Sequence, residues 1–241
     1  MQDFDYDKMA STYTRHRTAN PMVLGELRRR WKSSPKSTVL EVGCGTGLHL
    51  KALTETTGCK GWGVDPSQEM LRYAVDSEDI HFFKGVAEEL PFEASFFELA
   101  FSVNVIHHIK NTKDYFQEAL RVLKPHGLIC TATDSERIIR NRRPLAQYWP
   151  GTVEVDLGRY PKIELLRQQM AEAGFVDIEE HETYRTFEVA DAAPYREKAF
   201  SCLHLISEEE FLSGLHRLEK DLKTGPVHGI GEFVFLWGHR L

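Results

Sequence analysis

The stretch that decides the fold is Val39–Gly47, VLEVGCGTG. Val39, Leu40, Glu41 and Val42 read as a buried β-strand that runs straight into a glycine-rich turn. Gly43, Gly45 and Gly47 let the backbone turn tightly and approach a ligand with no Cβ in the way. The helix expected from Leu48 then points its first free N–H groups at that ligand. The spacing is GxGxG, not GxGxxG. Leu48 stands where a dinucleotide site needs its third small residue, and it obstructs the close helix–strand packing of that fingerprint.

Outward from this turn, short β-like runs alternate with helical patterns. The strands expected are Thr38–Val42, Gly61–Asp65, Ile80–Lys84, Leu99–Val103, Leu128–Thr133, Asp177–Tyr184 and Gly231–His239. Helices are expected at Pro21–Lys32, Leu48–Thr56, Gln68–Ser77, Thr112–Leu123, Lys162–Ala173 and Ser207–Lys223. The run Lys124–Gly127 reads as a stop between helix and strand. Ser207 followed by Glu210 reads as a capping box. Such βαβα alternation means a parallel sheet with helices on both faces, an α/β fold of the Rossmann-like, doubly wound kind. The chain of 241 residues is expected to form a single domain, 1–241. An N-terminal cap (1–36) and lid insertions at 135–160 and 185–228 lie outside the core pattern. Additions at strand ends are where such folds place specificity.

Asp65 ends the second strand in GVDPS, where an acid can accept hydrogen bonds from ribose hydroxyls. Nicotinamide and methyl-donor sites both use that arrangement, and an alternative is that Asp65 caps the helix after Pro66 and Ser67. The third strand leads into GVAEELPF, and the third helix into VLKPHG. At this point the chain resembles the class I S-adenosylmethionine-dependent methyltransferases of the small-molecule "type 11" kind, over about Tyr6 to Ile129.

The resemblance implies a seven-stranded sheet with the last strand antiparallel, and S-adenosylmethionine as cofactor. It implies that Glu41, Gly43, Cys44, Gly45 and Gly47 support the amino-acid end of the cofactor. Asp65 and Pro66 would face its ribose, and Val86, Ala87 and Glu88 would bracket the adenine. Family members usually carry an acid or polar residue where Val86 stands. Met70 would pack on the adenine, or belong to the helix core. Val103 and Asn104 follow the fourth strand, beside the same crevice. YDKMASTYTRHR places Tyr6, Tyr13 and Arg17 on a segment that in relatives folds over the cofactor, with Arg17 able to grip its carboxylate.

The reaction so implied needs alignment and dryness, with a base for an O–H or N–H acceptor. His107 is the candidate base at the end of the fourth strand. Histidines there are also read as packing residues. Arg137, Arg140, Arg142, Arg143, Tyr148, Trp149, Arg159 and Tyr160 suggest an anionic or aromatic small-molecule acceptor, or else a solvated, salt-bridged helix face.

Composition narrows the alternatives. A net charge of −6 disfavours polyanion binding, and no [DN]PPY or Pro-Cys sequence follows the fourth strand, so no nucleic-acid partner is expected. Only Asp134 qualifies as a metal-ligating acid near the crevice, so no metal is expected. The four scattered cysteines suggest a reducing compartment, and no apolar run is long enough to span a bilayer, so the expected location is cytoplasmic with no membrane partner. The polar, acidic Met1–Lys8 does not read as a signal peptide. Two rivals remain at this point: a nicotinamide-dependent oxidoreductase, and a cofactor-binding module without transfer activity.

Overall fold

The computed structural model describes residue 7 and residues 9–241. Tyr6 lies outside the described residues. The chain enters through α1 (Ala10–His16) and α2 (Pro21–Arg30), the latter started by Asn20, whose side chain accepts the Met22 N–H. Then come β1 (Thr38–Val42), α3 (Leu48–Thr57), β2 (Lys60–Asp65), α4 (Gln68–Arg72), β3 (Ile80–Lys84), β4 (Phe97–Val103), α5 (Thr112–Val122) and β5 (Leu123–Thr133). The remainder is α6 (Glu136–Asn141), α7 (Leu145–Tyr148), α8 (Gly151–Arg159), α9 (Ile163–Ala173), β6 (Phe175–Val189), α10 (Ala193–Arg196), α11 (Glu208–Leu222) and β7 (Val227–Arg240). The strands form one seven-stranded sheet in the order β3-β2-β1-β4-β5-β7-β6. β1 to β5 run parallel, and β7 is antiparallel to both β5 and β6.

The architecture follows from which residues need cover. β1 and β4 are buried along nearly their whole length and lie side by side at the centre. A strand buried on both faces needs helices on both, and two apolar clusters supply them. One gathers Leu40, Val42, Phe97, Phe116 and Leu166 on one side; the other gathers Val39, Leu50, Phe101, Leu27 and Trp237 on the opposite side. The chain reverses direction of winding between β1 and β4, and this switch point opens a crevice beyond their carboxyl ends.

Several elements differ from the sequence reading. α4 stops at Arg72, short of Ser77, because the Val75 N–H leaves the helix to bond the Thr46 carbonyl. Lys124–Gly127 is no gap between helix and strand. β5 begins at Leu123, which pairs with Phe97, and His126 (φ +63°) takes up an irregularity before the ladder resumes at Leu99–Leu128. Ser207 caps α11 by accepting the Glu210 N–H at 3.2 Å, but the reciprocal half of the capping box is missing. The Glu210 carboxylate accepts the Gly151 N–H instead, at 2.6 Å, and so ties α11 to α8.

β6 and β7 are much longer than expected. β7 pairs with β5 only as far as Thr133–Val234, yet β6 and β7 stay paired to Val189–Val227. Residues 185–189 and 227–230 therefore belong to strands and not to the inserted segment. Threonines, aromatics and valine along Thr183–Val189 suit an extended pair. This overhang carries the inserted helices, which have an apolar core of their own around Trp149, Tyr195, Phe211 and Leu218. Among the described residues no helix is long and apolar enough to cross a membrane.

Candidate active site

A cavity of about 330 Å³ lies beyond the carboxyl ends of β1, β2, β4 and β5, under the inserted helices. Its floor on one side is the glycine turn. The Gly43 and Cys44 N–H groups both bond the Val64 carbonyl, which pulls the turn against β2. Gly43 (φ +68°) is held there because a Cβ would drive into the Val105 side chain. Gly45 (φ +54°) differs: the nearest atom to a Cβ there is Tyr13 Cε1, at 3.9 Å, so its backbone stands open to the cavity.

Asp65 faces the same space. Its Oδ2 accepts the Gly45 N–H at 2.8 Å and its Oδ1 accepts the Ser67 N–H at 2.9 Å. Burial pushes its carboxyl up from the usual range, against the pull of these two bonds. Each oxygen keeps capacity for a further donor. The cap of α4 is Ser67, which accepts the Met70 N–H at 3.0 Å, and not Asp65. Pro66, Met70, Val103 and Asn104 complete this wall, with Asn104 in left-handed backbone (φ +53°).

Tyr13 and Arg17 close the wall from α1. The Arg17 guanidinium lies 4.6 Å from the Phe200 ring centre and donates to the Ala199 carbonyl at 3.1 Å. Its Nε is buried without a partner. Arg15 and His16 both pair with Glu197, at 2.5 and 3.0 Å, so α1 is fastened to the inserted segment.

Six residues expected at the cofactor do not line the cavity. Glu41 is turned to the start of α3, where it accepts the Leu50 N–H at 3.1 Å and faces His49 at 3.6 Å. Gly47 (φ +74°) is required by packing, since a Cβ there would strike Phe82. Cys44 is buried against β2, where it faces Gly63. Ala87 belongs to the core, and Val86 is exposed on the far side of its short bridge to Glu89. Glu88 caps the segment before α5, accepting the Lys110 and Asn111 N–H groups at 2.8 and 3.1 Å.

The second half of the cavity is lined from β4, β5 and the inserted helices. His107 is buried at 8% exposure and stacks on Tyr160, ring centres 4.0 Å apart. Burial, then the neighbouring His108, Arg159 and Arg142, hold its imidazole well below the ordinary range, so it is neutral at pH 7. Asp156, fully buried on α8, pairs with both Arg142 and Arg159, and Arg142 also lies 3.5 Å from Asp134.

The arginine-rich stretch therefore divides. Arg142 and Arg159 point inward, Arg137 pairs outside with Glu182 and Glu232, and Arg140 is solvated. Tyr148 and Trp149 belong to the inserted core and not to the cavity's charged floor. Asp156, Phe187, Tyr195, Phe200, Ser201 and Cys202 also reach the cavity, although nothing in their local spacing marks them.

Asp134 gives a test of this buried charge. Burial raises its carboxyl from 3.8 to about 6, with Arg142 opposing and Asp156 adding to the rise. The folded state therefore keeps a proton that the unfolded chain loses, and stability falls as pH rises from about 4 to 6. Asp134→Asn is expected to stabilise the protein by about 1–3 kcal/mol at pH 7. The gain should shrink to nothing by about pH 4 in thermal melts at stepped pH. A gain independent of pH would dissociate it from this carboxyl.

Comparison with known proteins agrees with the geometry. A family model described as "Methyltransferase domain" matches residues 40–131, the span from β1 to β5 that builds the cavity floor. Residues 40–131 thus match a methyltransferase domain. Among curated relatives, the sterol 24-C-methyltransferase of Schizosaccharomyces pombe is 33% identical over 110 residues, 42% of this chain and 29% of that protein. The match thus spans under a third of that relative's length. The demethylmenaquinone methyltransferase of Lactococcus lactis is 27% identical over 207 residues, 73% of this chain and 79% of that one.

Solved methyltransferase structures share the fold. A putative methyltransferase of antibiotic biosynthesis from Anabaena variabilis superposes with a TM-score of 0.71 at 21% identity, covering 92% of this chain and 98% of its own. Phosphoethanolamine N-methyltransferase 2 of Haemonchus contortus, solved with S-adenosylhomocysteine, gives a TM-score of 0.64 at 18% identity, covering 100% of this chain and 60% of its own.

Proposed function

We propose that this chain transfers a methyl group from S-adenosylmethionine to a small-molecule acceptor held beneath the inserted helices. One observation carries the reading: a single cavity joins the open Gly45 backbone and the Asp65 carboxylate to a second chamber floored by a neutral histidine. On this reading Asp65 holds the ribose hydroxyls. Arg17, whose buried Nε lacks a partner, grips the cofactor carboxylate from α1. When bound, the cofactor supplies an electrophilic methyl on a sulfonium. The protein aligns the acceptor, excludes water and takes a proton at His107. Cap and lid act as parts of one domain, because α1 is ion-paired to the inserted segment.

The net charge of −6 supports a small-molecule acceptor over a polyanion. The curated relatives are named for a sterol, demethylmenaquinone, a tRNA and a malonyl-acyl-carrier protein, and the first two support a compact acceptor here. Leu48 still argues against a nicotinamide cofactor, since it opens α3 directly after the glycine turn.

Two measurements test the proposal. S-adenosylhomocysteine should raise the melting temperature and NAD(H) should not. Asp65→Ala should weaken S-adenosylhomocysteine binding by about 1–3 kcal/mol in calorimetry, through loss of a charged pair of hydrogen bonds. Unchanged affinity in that variant would undo the ribose assignment.

A further inference from the structure

We infer that the acceptor is a neutral molecule bearing a hydroxyl on an apolar body, and that this hydroxyl bridges His107 and Arg142. The inference rests on the methyl-transfer reading above and names its substrate class. Two buried polar atoms on residues that line the cavity lack a hydrogen-bond partner: His107 Nδ1 and Arg142 Nε. Such atoms are costly unless a ligand completes them.

Their requirements differ. A guanidinium Nε–H only donates, so it needs an acceptor atom. A neutral imidazole offers one N–H and one lone pair, so it can take either role but has a lone pair to fill. A carboxylate satisfies Arg142 but brings no proton for that lone pair. An ammonium satisfies the lone pair but turns its N–H groups against the guanidinium. A hydroxyl donates to a bare His107 Nδ1 and accepts the Arg142 Nε–H at once, and so completes both atoms when the proton of the neutral ring sits on Nε2.

Charge points the same way. Arg142 and Arg159 are already matched by Asp134 and Asp156. An ionic acceptor would break that balance in a place where water cannot repair it. Ile138, Leu145, Phe187, Ile230 and Phe233 line the cavity beside Arg143, Ser201 and Glu232, and their apolar side chains suit a hydrocarbon body.

The step balances. The hydroxyl oxygen uses a lone pair to form the bond to the methyl carbon, and the carbon–sulfur pair stays with sulfur. The hydroxyl proton passes to His107, which later returns it to solvent. Arg142 holds the negative charge that the oxygen gains as its proton leaves for His107, and the new bond to carbon then discharges it.

Three matched probes test this: 2-naphthol, 2-naphthoate and 2-naphthylmethylammonium, titrated by calorimetry into protein saturated with S-adenosylhomocysteine. 2-Naphthol should bind at least about tenfold more tightly than either ion. Arg142→Lys keeps the positive charge but has no Nε–H. It should weaken 2-naphthol about tenfold and leave the two ions nearly unchanged, in a protein whose melting curve stays cooperative. Tighter binding of either ion, or equal weak binding of all three, overturns the inference. Methylation of an amine or acid in preference to 2-naphthol, read by mass, also overturns it while leaving methyl transfer intact. Selective binding of 2-naphthol with no methylated product on supplying S-adenosylmethionine would instead sink the transfer reading and leave the recognition claim standing.

Discussion

His107→Asn should lower the turnover number by about 10²–10⁴-fold with little change in affinity for S-adenosylhomocysteine. On the proposed reading the side chain faces the acceptor and Asp65 the cofactor, within one cavity, so cofactor binding should not depend on it. Its proton affinity is held down by burial and by two arginines, which leaves a neutral ring able to receive a proton at pH 7. A second acceptor separates proton transfer from packing. At about pH 8, 4-nitrophenol is mostly ionised and needs no base, so at saturating concentration its turnover should fall far less than that of unsubstituted phenol. Equal losses with both acceptors would mean that His107 matters only as the ring stacked on Tyr160.

The second large effect concerns stability. Trp149→Ala is expected to cost about 3–5 kcal/mol in denaturant unfolding. Trp149 is fully buried, stacks on Tyr195 with ring centres 5.4 Å apart, and donates Nε1–H to the Phe211 carbonyl at 2.9 Å. Gly214 sits directly against the indole, with no room for a Cβ, so neither α11 nor α7 can close over the hole. Trp149→Phe keeps most of the apolar area and loses mainly the hydrogen bond, for about 1–2 kcal/mol. A loss below 1 kcal/mol for the alanine variant would mean that the inserted helices are not held by this core.

The sequence made the central sheet legible because buried parallel strands are short apolar runs with sharp glycine punctuation. Val39–Gly47 and Gly63–Asp65 carry that signal by themselves. It weakens where tertiary contacts overrule local pattern. Nothing near Val75 says that its N–H will abandon α4 for Thr46. Alternation along Thr183–Val189 is real, but its strand partner lies more than 35 residues away and is fixed only by the full hairpin. The site divides in the same manner. Asp65, Gly45 and Arg17 follow from motif spacing, whereas Glu88 is consumed by two backbone N–H groups that no spacing rule foresees. Asp156 looks like an ordinary helix-surface acid in EVDLGR. Only the folding of α8 against two arginines makes it the buried partner of both at the cavity.

The fastening of α1 has a consequence for how the molecule is made. Arg15 and Arg17 meet Glu197 and Ala199 across 182 positions of chain. On the ribosome this helix waits, because the surface it docks on is translated 182 positions later. The glycine turn and Asp65 can reach their final places while synthesis is under way, but the Tyr13–Arg17 side of the pocket cannot. A nascent chain released before residue 197 would lack β7 and the pairing of β6, and would carry the five parallel strands with one side of its ligand pocket open to water.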